Sequence, residues 1–260
     1  MSKDQRSPID GVVIRRQAGQ SASAKAGALI ENMAACVVFP FAVVLFTLFA
    51  DLFRRASGHF GVLGFAFLFA LAAAFSVWQY FKRRDAIRHW LMGADGERYV
   101  GQILDREMAS RGYRVYHDIQ IRKGRRQMNI DHLLVGPNGV FLIEDKTWSK
   151  PRKGQTVVKF DGRLIYKNGV PTKAPVTEAF ALAKEANAYI KGLSGVSVPV
   201  KPVLVFVGWY NEAENRHDSP LLVLSEKVLP NFLQNHRPQQ VPTLQELRLV
   251  SAKLDAANVA

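Results

Sequence analysis

Two apolar runs separated by six residues constrain this chain more than any other feature. Residues 33–53 read MAACVVFPFAVVLFTLFADLF, and residues 60–81 read FGVLGFAFLFALAAAFSVWQYF. Each has about the 20 residues that a helix needs to cross the hydrocarbon core of a bilayer, and the second carries no charge. One alternative is a buried helical hairpin of a water-soluble protein, which the length and the lack of polar periodicity oppose. Another is a signal peptide in the first run. It fits poorly, because a long polar stretch precedes it, no small-residue cleavage site is evident and a second apolar run follows closely. Pro40 is tolerable in a membrane helix, and Asp51 falls near an end where Arg54 and Arg55 can pair with it. Trp78 and Tyr80, followed by Lys82, Arg83 and Arg84, form an aromatic and cationic boundary of the kind found at a membrane surface. The expectation is a two-helix transmembrane hairpin at 33–81, between a flexible polar tail at 1–32 and a basic juxtamembrane linker at 82–92. Both ends of the hairpin are expected in the cytoplasm, which makes the chain a multi-pass protein of a bacterial inner membrane. The arginines of the short turn stand against that orientation.

Beyond Arg84 the composition changes to that of a soluble mixed domain. Val100, Ile103, Leu104 and Met108 share one side of a helix that Gly112 stops, and RVYHDIQI alternates as a strand does. Asp-Gly and Asn-Gly mark a hairpin in VVKFDGRLIYKNG, APVTEAFALAKEANAYIKGL is helical, and VKPVLVFVGW reads as a strand covered on both faces. SPLLVLS is one more strand, followed by helices near EKVLPNFLQNH and TLQELRLVSAKLDAA. This order predicts an α/β fold, a mixed central sheet flanked by helices, over residues 93–240, with a C-terminal helix at 241–260. The single cysteine, Cys36, rules out an internal disulfide. A net charge of +13 favours a polyanionic partner, either nucleic acid or anionic lipid.

The segment NIDHLLVGPNGVFLIEDKTW, residues 129–148, is the chemically telling one. Gly136-Pro137-Asn138-Gly139 is a good four-residue reversal. With Val135 opposite Val140, Leu133 faces Leu142 and Asp131 faces Glu144, on the same side as Lys146. Two opposed carboxylates on an apolar sheet repel each other unless a cation compensates them, and a magnesium ion bound by one or two carboxylates does so. Lys146 would then orient or help deprotonate a water, or neutralise a phosphorane-like transition state. The alternative is a structural ion pair of Lys146 with Asp131 or Glu144.

The region resembles the NERD (nuclease-related) domain, a branch of the PD-(D/E)xK restriction-endonuclease-like superfamily. The resemblance rests on GADGERYV, NIDHLLVGPNGVFLIEDK, FDGRLIYKNG and the helix entered through APVTEAF, about residues 93–193. It implies a restriction-endonuclease-like fold and a nuclease dependent on magnesium, or on manganese in its place. Asp131 and Glu144 would bind the metal, Lys146 would assist the water, and Glu97 would be the helical acid that completes the metal site. The sequence departs from the family at Asp145, commonly small or neutral there and expected near the metal ligands or solvated, and at Glu178, typically glutamine.

Other motifs point nowhere. His132 reads as a core histidine or one behind the metal ligands. His59, His89, His117, His217 and His236 lack metal spacing, and neither a zinc site, a phosphate-cradling loop nor a serine-nucleophile motif is present. Two basic runs, Arg122, Lys123, Arg125 and Arg126 before Asp131 and Lys150, Arg152 and Lys153 after Lys146, leave the sheet at the carboxylate end. They suit phosphate contacts without sequence readout. The leading expectation is a nuclease tethered to the membrane and acting on DNA, with RNA the lesser candidate. The rivals are a non-catalytic module binding nucleic acid or protein, and a domain that lies on anionic lipid.

Overall fold

The computed structural model describes residues 16–54, 59–124, 126–151, 153–216, 218–238, 240 and 242–257. The chain divides into two compact units, one formed by residues 21–92 and the other by 1–20 together with 93–260.

The first unit holds helix α1 (Gln20–Arg54) and the N-terminal part of helix α2 (His59–Met108). Phe41 of α1 meets Phe69 of α2 edge to face at 5.0 Å, and the Lys25 ammonium lies 4.5 Å from the centre of the Trp90 ring, so the two helices run antiparallel. Small side chains such as Ala22, Ala26 and Ala72 are buried, while Phe39, Phe46 and Phe67 are 71%, 73% and 64% exposed. Among the described residues one helical segment, Gln20–Phe49, is long and apolar enough to cross a membrane, with a mean hydropathy of 2.2 and 6% of its most apolar stretch buried. A signal sequence shares those properties. The second expected span, 60–81, is helical but does not qualify among the described residues, so the pair of transmembrane helices expected above reduces to one candidate. Two expected boundaries change as well. Residues 20–32 belong to α1, because nothing from Gln20 to Asn32 breaks a helix except the tolerated Gly27. Residues 82–92 continue α2, since KRRDAIRHWLM contains neither Gly nor Pro. The rest of the tail, 1–15, and Arg55 lie outside the described residues.

The second unit is a mixed α/β fold. Strands β1 (Arg114–Lys123), β2 (Arg126–Gly136) and β3 (Gly139–Lys146) form an antiparallel meander, and β7 (Val200–Phe206) and β9 (Leu222–Leu224) continue it in parallel, in the order β1-β2-β3-β7-β9. Between β3 and β7 the chain builds β4 (Val157–Phe160), β5 (Ile165–Lys167), β6 (Val170–Thr172) and helix α3 (Ala174–Ser194). Strand β8 (Tyr210–Ala213) joins β4 to complete a second sheet, β6-β5-β4-β8. Helices α4 (Leu229–Asn235) and α5 (Leu244–Ala257) end the described chain. One face of the large sheet packs Tyr116, Ile130, Leu133 and Leu142 against Leu182, Ala186 and Ile190 of α3 and Leu247, Val250 and Leu254 of α5. The other packs Leu134, Phe141 and Ile143 against Val100, Leu104 and Met108 of α2 and Leu229 and Leu233 of α4. Both faces are covered, which is why β3 and β7 read as nearly unbroken apolar runs.

Candidate active site

The β2–β3 ladder pairs Gly136 with Gly139, Val135 with Val140, Leu133 with Leu142 and His132 with Ile143. This is the register expected from the turn. Asp131 and Glu144 are the next residues outward. Glu144, Asp145 and Lys146 pair with Leu204, Val205 and Phe206 of parallel β7, so β7 holds this end of β3 beyond the last β2 pair. Gly96 brings α2 onto it: a Cβ there would lie 1.8 Å from the Thr147 Oγ1, so only glycine admits the approach.

Three of the expected site residues gather as carboxylates. Asp131 and Glu144 are buried, and the Asp131 Oδ2 accepts a hydrogen bond from the Asp145 backbone N–H at 2.8 Å. Glu97 of α2 accepts one from the Gly19 N–H. Burial first, then the charges of Asp145, Asp118 and Glu144, raises the Glu97 pKa to about 7. Burial likewise pushes Glu144 to about 7 despite the opposing Lys146, and holds Asp131 well above the usual carboxylate range with help from the Glu144 and Glu97 charges. The Lys146 Nζ donates to the Glu144 Oε1 and the Glu178 Oε2, both at 2.8 Å. Burial alone would lower its pKa, but these two acids outweigh burial and raise it, so Lys146 is an ammonium throughout the neutral range.

Asp145 is not solvated. Its side chain is 1% exposed, and its Oδ2 lies 2.8 Å from the Nε2 of fully buried His132. The His132 Nδ1 lies 2.7 Å from the His117 Nδ1, and the His117 Nε2 lies 3.0 Å from the Asp105 Oδ1. A polar chain thus runs from exposed Asp105 to the strand that carries the site. Burial holds His132 neutral, far below the usual imidazole range.

Sequence reasoning missed three members of this neighbourhood. Asp118 falls between the β1–β2 pairs His117–His132 and Ile119–Ile130, at the level of Asp131, with a left-handed φ of 51° and a fully buried side chain. Arg16 binds it. Glu226, 4% exposed, accepts from the Gly208 N–H at 3.1 Å. An aspartate in the apolar alternation of RVYHDIQI was a usable signal for Asp118. None existed for Arg16, which pairs with a residue 102 positions away.

The basic residues divide. Arg122 on β1 and Lys150 and Lys153 after β3 are exposed, Lys123 ends β1, Arg126 begins β2, and Arg125 and Arg152 lie outside the described residues. Since β2 and β3 are antiparallel, the start of β2 and the end of β3 share one end of the sheet.

A hard divalent cation suits this donor set. Buried oxygens of Glu97 (Oε2), Asp118 (Oδ1), Glu144 (Oε2) and Asp145 (Oδ1) have no hydrogen-bond partner among the described residues, an expensive arrangement that a cation would relieve at those it could reach. No group of three His, Cys, Asp or Glu side chains among the described residues converges as a ready-made cage. Magnesium does not require one, because it typically takes one or two protein carboxylates and keeps waters.

No curated protein matches the chain. The crystal structure of protein VC1899 from Vibrio cholerae aligns with 92% of this chain and 55% of its own, at 15% identity and a TM-score of 0.21, and carries no argument at that level. Residues 92–207, from the end of α2 through β7, match the family model of the nuclease-related domain, NERD.

Proposed function

We propose that the chain is a membrane-anchored, metal-dependent phosphodiesterase that cleaves DNA, with RNA the lesser candidate, at the cytoplasmic face of an inner membrane. One observation carries the reading. Glu97 and Glu144 each keep a buried oxygen without a hydrogen-bond partner among the described residues and lie close enough to Asp131 to raise its pKa, beside a permanently charged lysine, in a segment matched by a nuclease-related family. A magnesium or manganese ion held by Asp131 and Glu144, with Glu97 in support, would offset the repulsion between them and polarise water and phosphodiester. Lys146 acts as a cation, stabilising charge on the phosphate, and not as the base that takes the proton from water. Arg122, Lys123 and Arg126, and Lys150 and Lys153, grip the nucleic-acid backbone, with Arg125 and Arg152 of the same two sequence runs adding charge. Lipid covers the exposed phenylalanines of α1 and of the second apolar run, making the anchor a two-span hairpin.

The test is plasmid cleavage by the full-length protein in detergent, with magnesium or manganese against EDTA. Metal-dependent nicking supports the proposal. The ion triad of Lys146 with Glu144 and Glu178 favours a second reading, a non-catalytic module on a nuclease-like fold. Salt-dependent DNA binding without cleavage under any metal would establish that reading instead.

A further inference from the structure

We infer that residues 16–19, which precede α1, are a working part of the acidic site, with Arg16 and Gly19 as its positioning residues. The inference rests on the metal-dependent reading above. These residues group with the α/β unit and not with the helical one. The Arg16 Nε donates to the Asp118 backbone oxygen at 2.8 Å and to its Oδ2 at 2.9 Å, and the Nη2 also contacts Oδ2. The left-handed turn at Asp118 takes its carbonyl out of the ladder, and Arg16 satisfies both that carbonyl and the buried carboxylate.

Three residues on, the Gly19 N–H donates to Glu97. That leaves the other Glu97 oxygen, Oε2, buried and without a hydrogen-bond partner among the described residues. The docking is close along its length. A Cβ on Gly19, whose φ is 71°, would lie 2.6 Å from the Ala94 backbone oxygen, and one on Gly101 would lie 2.7 Å from the Ala18 Cβ. The strap therefore fixes one acid by a backbone donor and neutralises a second that faces the cluster. Neither Arg16 nor Gly19 lies within the matched segment 92–207, so Asp118 and Glu97 are held in part from outside it.

The probe is Mn2+ alone, titrated into the full-length protein in detergent and followed by electron paramagnetic resonance, with tryptic cleavage after Arg16 in the wild type reporting whether the strap is docked. Removing a residue that orients metal ligands typically weakens metal binding by about 10- to 100-fold. Arg16→Ala should fall in that range, and Arg16→Lys should recover part of the loss, because an ammonium restores the charge without the two-pronged geometry. Gly19→Ala should weaken Mn2+ binding with Arg16 intact and should expose the Arg16 bond to trypsin. In an Asp118→Asn background Arg16→Ala should cost at most a few-fold, since the charge it answers is gone. Tighter Mn2+ binding by Arg16→Ala, or affinity within twofold of wild type in both Arg16→Ala and Gly19→Ala, overturns the inference and leaves the metal site standing. A wild-type protein that binds no Mn2+ overturns both.

Discussion

The two units of this protein break opposite rules of burial. In the helical unit several large apolar side chains face outward while a few alanines face inward, so Phe39 and Phe46 are more than two-thirds exposed and Ala26 is fully buried. In the α/β unit the apolar side chains are inside, as water requires, but ionisable ones are inside with them: Asp118, Asp131, Glu144 and Glu226. Each departure is costly in water and each has a remedy that points to a partner. In the reading proposed above, lipid would cover the exposed phenylalanines, and a cation would answer the single carboxylate oxygens of Glu97 and Glu144 that lack a hydrogen-bond partner among the described residues. An unusual residue count is therefore less informative than the sign of the misplacement.

The largest expected effects come from the acids. Asp131→Asn or Glu144→Gln should lower metal-dependent cleavage by about a hundred- to a thousandfold, given what such groups contribute, while leaving thermal stability unchanged or higher, because each relieves like-charge repulsion. Wild-type turnover in either variant would remove the site from the α/β side of the contrast. Gly96→Ala comes next. Its new methyl would overlap Thr147, and overpacking of this kind costs about 1–3 kcal/mol, read as a lower unfolding temperature together with lost activity.

The acids also give the metal-free protein a defined pH dependence. Glu97 and Glu144 have folded pKa values of about 7 against an ordinary 4.5, raised first by burial. The folded state thus keeps protons that the unfolded chain has released. Their stabilising contribution is complete below about pH 4.5 and is lost as pH rises to 7, on the order of 3 kcal/mol per group. Unfolding measured in EDTA should show lower stability at pH 8 than at pH 5, and magnesium should reverse that slope. A slope that magnesium leaves untouched would mean that the cluster is not a cation site. Among the smaller effects, Lys146→Ala should lower turnover far more than metal affinity. Calorimetry beside kinetics separates the two, and equal losses would make Lys146 a purely structural partner of Glu144.

Much of the α/β unit was legible because its signals are local. The GPNG turn dictates the β2–β3 register one rung at a time as far as His132–Ile143, and Asp131 and Glu144 are the next residues outward. Asn168 and Gly169, with φ of 48° and 85°, close the β5–β6 hairpin that Asn-Gly announced. What was not legible depends on distant partners. Residues 82–92 resemble a charged linker until they are seen to continue an uninterrupted helix. Short β8 has no apolar run of its own and exists because β4 offers it an edge. Arg16 sits in a polar stretch without periodicity, and its role is defined wholly by a carboxylate on β1.

The hydrogen bond from the Asp145 amide to Asp131 has a consequence for how this site can be watched. A side-chain donor can be deleted by mutation, but a peptide N–H survives every substitution except proline, so the hold on Asp131 is set by the path of β3 and not by the identity of residue 145. That amide proton points at one carboxylate oxygen of Asp131, whose charge changes when the group gains a proton or binds a cation. Its chemical shift and its exchange with deuterated solvent should therefore follow the state of Asp131, giving the protein an internal reporter that needs no label beyond 15N.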